Sequence, residues 1–267
     1  MPPTDLVVHW LVATQRAELA AEELWDRGAT AVELRPEGSG TTLVASFPTA
    51  QAAIVVAGEV GGRAVEVGRE WVDGWRPYAR PFEVGGLVVA PAWHEVAVAG
   101  GPVVSIDPGE CFGSGSHPST RLVLGFLAAE PPVGARVADV GAGSGILAVA
   151  AAVLGAASVQ AVDIDPQSAA VVRGNASRNG VASVVRAWTG SVERLEAPVD
   201  LALVNLTAAV QVAVAPAVLG AVGPGGRILV AGLLPGQWRH VAGAYQGTEV
   251  TDEPELDGWV GAVLRRR

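Results

Sequence analysis

Lysine is absent from this chain of 267 residues, and all 18 basic residues are arginine. That removes every chemistry built on a lysine ammonium: a P-loop lysine on nucleotide phosphates, the protein-kinase lysine and the Schiff base. Sulfur is almost as scarce, with one cysteine, Cys111, and one methionine. A single cysteine permits no internal disulfide, no thiolate zinc cluster and no CxxC redox pair, so a reducing cytoplasm is the expected home. The isolated His9, His94 and His240 lack paired spacing, and no metal is expected. Charge is sparse, at 17% of residues, and lopsided, with 27 acidic residues and a net of −9. That balance argues against a broad nucleic-acid surface and fits a basic protein partner. What is plentiful is apolar: half of the residues are hydrophobic, enough for a sizeable core. Neither a targeting segment nor a membrane span is expected. Leu6–Ala13 carries His9 and lacks a basic flank. The weakly polar run Gly145–Val162, bracketed by Asp139 and Asp163, reads as a buried helix followed by a buried strand.

The hydrophobic pattern divides the chain in three. Residues 1–68 read as strand, helix, strand, strand, helix, strand, which is the ferredoxin-like α+β order. Leu6–Ala13, Ala31–Arg35, Thr42–Phe47 and Ala64–Val67 are its predicted strands. Gln15–Arg27 is a predicted helix with Leu19 and Leu24 inward, and Thr49 caps a second helix, Ala50–Val60. This small domain has nine acidic residues and four arginines, a net of −5. Residues 69–116 read as an irregular linker rich in Pro, Gly and Trp, including Trp71, Trp75 and Trp93; tryptophan there implies packing onto something. From 117 to 267 strands and helices alternate. The strands are Arg136–Val140, Val159–Asp163, Val184–Ala187, Leu201–Asn205 and Arg227–Leu233, with short β pieces at Thr248–Val250 and Trp259–Leu264. Such alternation implies an α/β, doubly wound, Rossmann-like parallel sheet with helices on both faces.

The sharpest local signal is Asp139-Val-Gly141-Ala-Gly143-Ser-Gly145, which leaves a predicted strand and opens a predicted helix. Glycines let the backbone turn and approach a ligand closely, and the helix beyond offers free N–H groups. Two cofactors use such a loop. Gly143, Gly145 and Ala148 satisfy the dinucleotide pattern GxGxxA, with Asp163 placed 20 residues on as a ribose ligand. The same residues counted from Asp139 give the acidic-x-G-x-G-x-G loop of S-adenosylmethionine (SAM) methyltransferases. There Asp139 faces the cationic methionine end and Asp163 holds the ribose hydroxyls.

The end of the fourth strand, Asp200-Leu-Ala-Leu-Val-Asn205-Leu206, separates the two. In nitrogen methylation the Asn205 side-chain carbonyl accepts a hydrogen bond from the target amine, and the next backbone carbonyl, that of Leu206, accepts another. Together they aim the nitrogen lone pair at a methyl group. A nicotinamide enzyme has no such need. The bland alternative is that Asn205 caps the following turn. The two further short strands suit a seven-stranded methyltransferase sheet.

Several segments, taken in order, resemble the ribosomal protein L11 methyltransferases. Ile106-Asp-Pro-Gly-Glu-Cys-Phe112-Gly-Ser-Gly-Ser-His117-Pro-Ser-Thr120-Arg is similar to that family's DPGxAFGTGxHxTT segment. Val140–Ala150 is similar to its SAM loop, and Val162-Asp-Ile-Asp-Pro166 with Asn175 and Asn179-Gly180 to its second motif. Asn205-Leu206 matches its Asn-Leu motif, and Trp75-Arg-Pro and Ala90-Pro-Ala-Trp93 look like its linker. The resemblance implies a SAM-dependent transfer of methyl groups to lysine side chains and the N-terminal amine of a basic ribosomal protein, held by the front domain. It implies SAM contacts at Thr120, Gly141, Asp163 and Asn205. Asp139, Gly143, Gly145, Phe112, His117 and Ser191 complete the expected cofactor set, with Asn205 and Leu206 as the catalytic pair. The chain departs from the pattern at Ser114 and Ser119, where threonine is usual, at Glu110-Cys111, and in the Thr-Ala-Ala-Val that follows Leu206. Related enzymes methylate lysines of other proteins. His117 suits a base, a contact to the cofactor carboxylate, or a helix cap. Trp75 and Trp93 suit either a channel wall or packing between domains.

Overall fold

The computed structural model describes residues 5–67, 79–96, 101–109, 111, 113–196 and 198–267. The chain divides into two compact units, 1–78 and 79–267. In the first, strand β1 (Asp5–Ala13) alternates buried Val8, Trp10 and Val12 with outward His9 and Leu11. Helix α1 (Ala17–Asp26), strands β2 (Ala31–Glu37) and β3 (Gly40–Ser46), helix α2 (Ala50–Val60) and strand β4 (Arg63–Val67) follow. The sheet is antiparallel, in the order β2-β3-β1-β4. Thr49 caps α2 by accepting a hydrogen bond from the Ala52 N–H at 3.1 Å, and Gly61 ends it at φ +70°. Leu24 is fully buried, but the expected inward Leu19 is 66% exposed. Positions 19 and 24 lie about 140° apart around a helix, so one face cannot hold both; the buried stripe is Ala17, Ala20, Ala21 and Leu24.

The second unit begins with a sheet where an irregular linker was expected. Strands β5 (Phe82–Val84), β6 (Leu87–Pro91) and β7 (Val103–Ile106) pair in that order, β5/β6 antiparallel and β6/β7 parallel. The hairpin turns on Gly85-Gly86, both at positive φ (+58° and +84°), which the primed two-residue turns require. Trp71 and Trp75 lie outside the described residues.

Helix α3 (Pro118–Ala129) then leads into strand β8 (Arg136–Val140), helix α4 (Ile146–Val153), strand β9 (Ser158–Asp163), helix α5 (Ser168–Arg178) and strand β10 (Val185–Thr189). Strand β11 (Val199–Asn205), helix α6 (Ala208–Ala221), strand β12 (Val222–Leu233), helix α7 (Pro235–Ala242) and strands β13 (Thr248–Asp252), β14 (Glu255–Leu256) and β15 (Trp259–Arg266) complete it. The sheet runs β10-β9-β8-β11-β12-β15-β13, with the short β14 added on β15. Strands β8 to β12 are parallel, and β15 runs antiparallel to both its neighbours, β12 and β13. Strand alternation feeds two cores. Leu201 and Leu203 pack on the side of α3, α4 and α5, and Ala202 and Val204 on the side of α6 and α7. The order reverses between β8 and β11, which is where open α/β sheets hold ligands, beyond the strands' C-terminal ends. Among the described residues no helix is long and apolar enough to cross a membrane.

Candidate active site

The glycine loop leaves β8 directly at that reversal. Gly141, Gly143 and Gly145 all hold positive φ, at +75°, +52° and +76°. Two are also pressed from the side. A Cβ on Gly141 would stand 2.3 Å from the Leu206 side chain, and one on Gly145 would stand 2.8 Å from that of Val172. Glycine is thus required twice over, by conformation and by space.

Two carboxylates fasten the loop. Asp163, at the end of β9, accepts from the Gly143 N–H at 2.7 Å and from the Asp165 N–H at 2.9 Å, and keeps part of its surface open. Asp139 is 1% exposed and accepts from the Ala148 N–H at 2.9 Å. It therefore caps α4, whose N-cap, Gly145, has no side chain to do so. Burial pushes the Asp139 carboxyl up to about 7, against the Ala148 hydrogen bond, which favours the charged form. Ser144 and Ser168 bind neighbouring backbone: Ser144 Oγ donates to the Gly113 carbonyl at 2.6 Å and Ser168 Oγ to the Gly143 carbonyl at 2.7 Å.

The segment before α3 is tied to α5. Asn179 accepts from the Ser105 N–H at 2.8 Å and donates to the Ser105 carbonyl at 2.7 Å. One helical turn earlier, Asn175 does the same for Asp107, at 3.0 and 2.9 Å, and donates also to the Ser144 carbonyl at 2.9 Å. Four helix residues advance about 6 Å and two strand residues about 6.6 Å, so the i, i+4 pair meets the i, i+2 pair. This holds the approach to residues 113–117 beside the glycine loop.

His117 is the N-cap of α3. Its Nδ1 lies 2.8 Å from Ser119 Oγ and accepts from the Ser119 N–H at 3.3 Å. The ring stacks edge-on against Trp259, with centroids 4.5 Å apart, and burial lowers its pKa. The cap is the role this geometry displays. Three residues on, buried Thr120 offers its Oγ1 to the Asn205 amide, whose Nδ2 donates at 3.1 Å. With the nitrogen so engaged, Asn205 turns its carbonyl oxygen to the Leu206 carbonyl and Gly232. A Cβ on Gly232 would lie 3.0 Å from Asn205 Oδ1 and 2.7 Å from the Leu206 oxygen, and Gly232 holds φ +86°. Only a residue without a Cβ fits beside these two oxygens.

Thr120, Asn205, Leu206, Gly141, Gly143, Gly145, Asp139 and Asp163 thus form one connected group through these contacts. Ser191 is exposed just past β10, next to Gly190, whose N–H binds the Asp163 carbonyl at 2.8 Å. Phe112 lies outside the described residues. Three positions escaped sequence reasoning. Ile164 stands 80% exposed beside Asp163, an apolar surface at the mouth of the loop. Gly232 interrupts an apolar strand, and Gln211 is the sole polar residue of α6. A glycine in a strand and a lone amide in an apolar helix were the available signals.

The family model described as ribosomal protein L11 methyltransferase (PrmA) matches residues 49–267. A protein of Pelotomaculum thermopropionicum named ribosomal protein L11 methyltransferase is 42% identical over 201 residues, covering 73% of this chain and 65% of that one. A Pseudomonas aeruginosa protein of the same name is 32% identical over 254 residues, covering 94% and 85%. The crystal structure of a ribosomal protein L11 methylase from Lactobacillus delbrueckii subsp. bulgaricus superposes with a TM-score of 0.65 at 26% identity, over 70% of this chain and all of that one. The match to the Pelotomaculum protein thus spans just under two thirds of its length. With a family model matched from Thr49 to the last residue, and relatives alike in sequence and in fold, the chain belongs to the ribosomal protein L11 methyltransferase family.

Proposed function

We propose that this chain transfers methyl groups from SAM to amino groups of ribosomal protein L11, its lysine side chains and N-terminal amine. One observation carries the reading: Thr120 holds the Asn205 nitrogen, and Asn205 Oδ1 and the Leu206 carbonyl both border the spot that a Cβ on Gly232 would fill. Two oxygen acceptors side by side suit a primary amine, which has N–H bonds to give and a lone pair to aim. The residues around the loop fit SAM. Asp163 offers oxygen lone pairs to ribose hydroxyls at a strand end, Ile164 offers an apolar face to a base, and the carboxylate of Asp139 lies beneath the loop where a cation would favour its charged form. Asp163, Gly141, Gly143, Gly145 and Thr120 would hold it, with Ser191, His117 and Phe112 as outer contacts. The cofactor supplies a methyl group on a sulfonium, a leaving group of its own. What the chain adds is alignment and exclusion of water: two fixed acceptors for a neutral amine, and no covalent attachment.

The front unit we read as a ferredoxin-like arm, residues 1–68, supported by its strand order β2-β3-β1-β4 with two helices. Its net charge of −5 suits capture of a basic protein, and not of nucleic acid. Residues 69–116 then lead into the SAM domain, 117–267. A ribosomal substrate suits an activity in the cytoplasm. The test is incubation with methyl-labelled SAM and purified L11, with the label located by mass spectrometry. Label on L11 amines is expected. No label on L11, or tight NAD binding without SAM binding, overturns the reading.

A further inference from the structure

Helix α6 carries one polar side chain, Gln211, and it is completely buried. Its Nε2 donates to two backbone carbonyls, that of Leu206 at 2.9 Å and that of Ala231 at 2.7 Å. The amide orientation follows from the partners: reversed, Oε1 would face two carbonyl oxygens. In the orientation observed Oε1 finds no partner. A buried amide with an orphan acceptor is a net cost to folding, and an apolar residue of similar volume suits this helix better. The bond to Ala231 adds little hold of its own, because that carbonyl already accepts from the Leu206 N–H at 3.2 Å. What Gln211 alone does is fix the direction of the Leu206 carbonyl, one of the two acceptors beside Gly232.

We infer that Gln211 is a positioning residue for methyl transfer, aiming the Leu206 carbonyl at the target amine. The inference rests on the activity proposed above. Gln211 takes one lone pair of the Leu206 oxygen and leaves the second for the substrate. The same bond ties α6 to the turn after β11, where Asn205 and Leu206 sit. Because α6 itself touches neither the glycine loop nor Asp163 through this side chain, its effect belongs to the rate rather than to SAM affinity.

Two variants of the full chain test this against purified L11 with saturating SAM. Gln211→Met keeps the volume and removes both donors. Its kcat is expected to fall roughly ten- to a hundredfold, as for small misplacements of a reacting group, while the SAM Kd measured by calorimetry stays within about twofold. Gln211→Glu can donate only when protonated, which burial favours, and once ionised it repels both carbonyls. Its rate relative to wild type should therefore fall as pH rises, by roughly tenfold per unit above its pKa, while the wild-type rate rises as the amine loses its proton. A Gln211→Met enzyme with the wild-type kcat, or a Gln211→Glu enzyme that tracks the wild-type pH profile, overturns the inference and leaves the proposed function standing. A wild-type chain that methylates no L11 overturns both. If Gln211→Met does not fold, the Gln211→Glu profile decides alone, taken as single-turnover rate per folded molecule with circular dichroism at each pH, because an ionised buried Glu also destabilises the fold.

Discussion

Asp139 and Asp163 fasten the same loop with opposite exposures, and that difference predicts their behaviour. Asp139 is enclosed, and burial raises its carboxyl from 3.8 to about 7. The folded state thus binds this proton more tightly than the unfolded chain does. Its contribution to stability is present in full below about 4 and is lost as pH climbs through about 7. Without SAM, thermal stability should therefore decline between those values, and Asp139→Asn, which still offers an oxygen to the Ala148 N–H, should flatten the slope in a melting series. Asp163 keeps an open edge. Asp163→Ala should weaken SAM binding about ten- to a hundredfold, the loss of one charge-assisted bond of about 1.5–3 kcal/mol; calorimetry on the folded variant measures it, and unchanged affinity would remove Asp163 from the ribose. Asn205→Ala should lower the single-turnover rate far more than SAM affinity, because its carbonyl is needed to orient the amine. Equal rates at saturating substrate would reduce Asn205 to the partner of Thr120.

Elements meet the loop at Gly145, where α4 begins against α5. Gly145→Ala would set a Cβ 2.8–3.0 Å from three atoms of Val172 while forcing alanine to φ +76°. A loss of about 1–3 kcal/mol is expected in denaturant unfolding, and adding Val172→Ala, which removes the two γ-methyls but keeps the Cβ, should restore only part of the steric share. This crossing also shows what a sequence reveals. Asp139, the glycines and Asp163 were legible because strand, loop and helix follow within some 25 residues, and each carries its own pattern. Asn205 was legible from chemistry, as an amide at a strand end. Leu19 was misplaced because a leucine in an alanine-rich helix outweighed the angle between positions 19 and 24. The β5–β6 hairpin passed as linker although Gly85-Gly86 announces it, because its strands are short and its neighbours are proline and tryptophan. The pairing of Asn175 and Asn179 with residues 107 and 105 spans 68 and 74 positions, and no local period encodes it. Gln211 is of the same kind: its partners come from two strand ends.

The whole molecule is two units with separate hydrophobic cores, the first built by Val8, Trp10, Leu24 and Leu43, the second by the two faces of the larger sheet. Residues 79–267 hold every contact described for the loop, so removing 1–78 should leave SAM affinity nearly intact while L11 methylation collapses. A truncated chain that methylates L11 at the full rate ends the idea of an acidic capture arm. For the full chain, the apparent KM for L11 should rise with salt, since surface charges are screened beyond about 8 Å at physiological ionic strength. The Asn175 and Asn179 pair has one more effect at this scale. Strand β7 is the last of its sheet, and it spends the Ile106 carbonyl on the Ala92 N–H of the chain beside it. Ser105 and Asp107 present their backbone to the other edge, and there two side-chain amides take the places of a next strand. An open edge of this kind is a template on which a second chain can add itself. Here the template is already filled from within, so the same asparagines that steady the site also deny a stray extended peptide, or another copy of this chain, a place to start an aggregate.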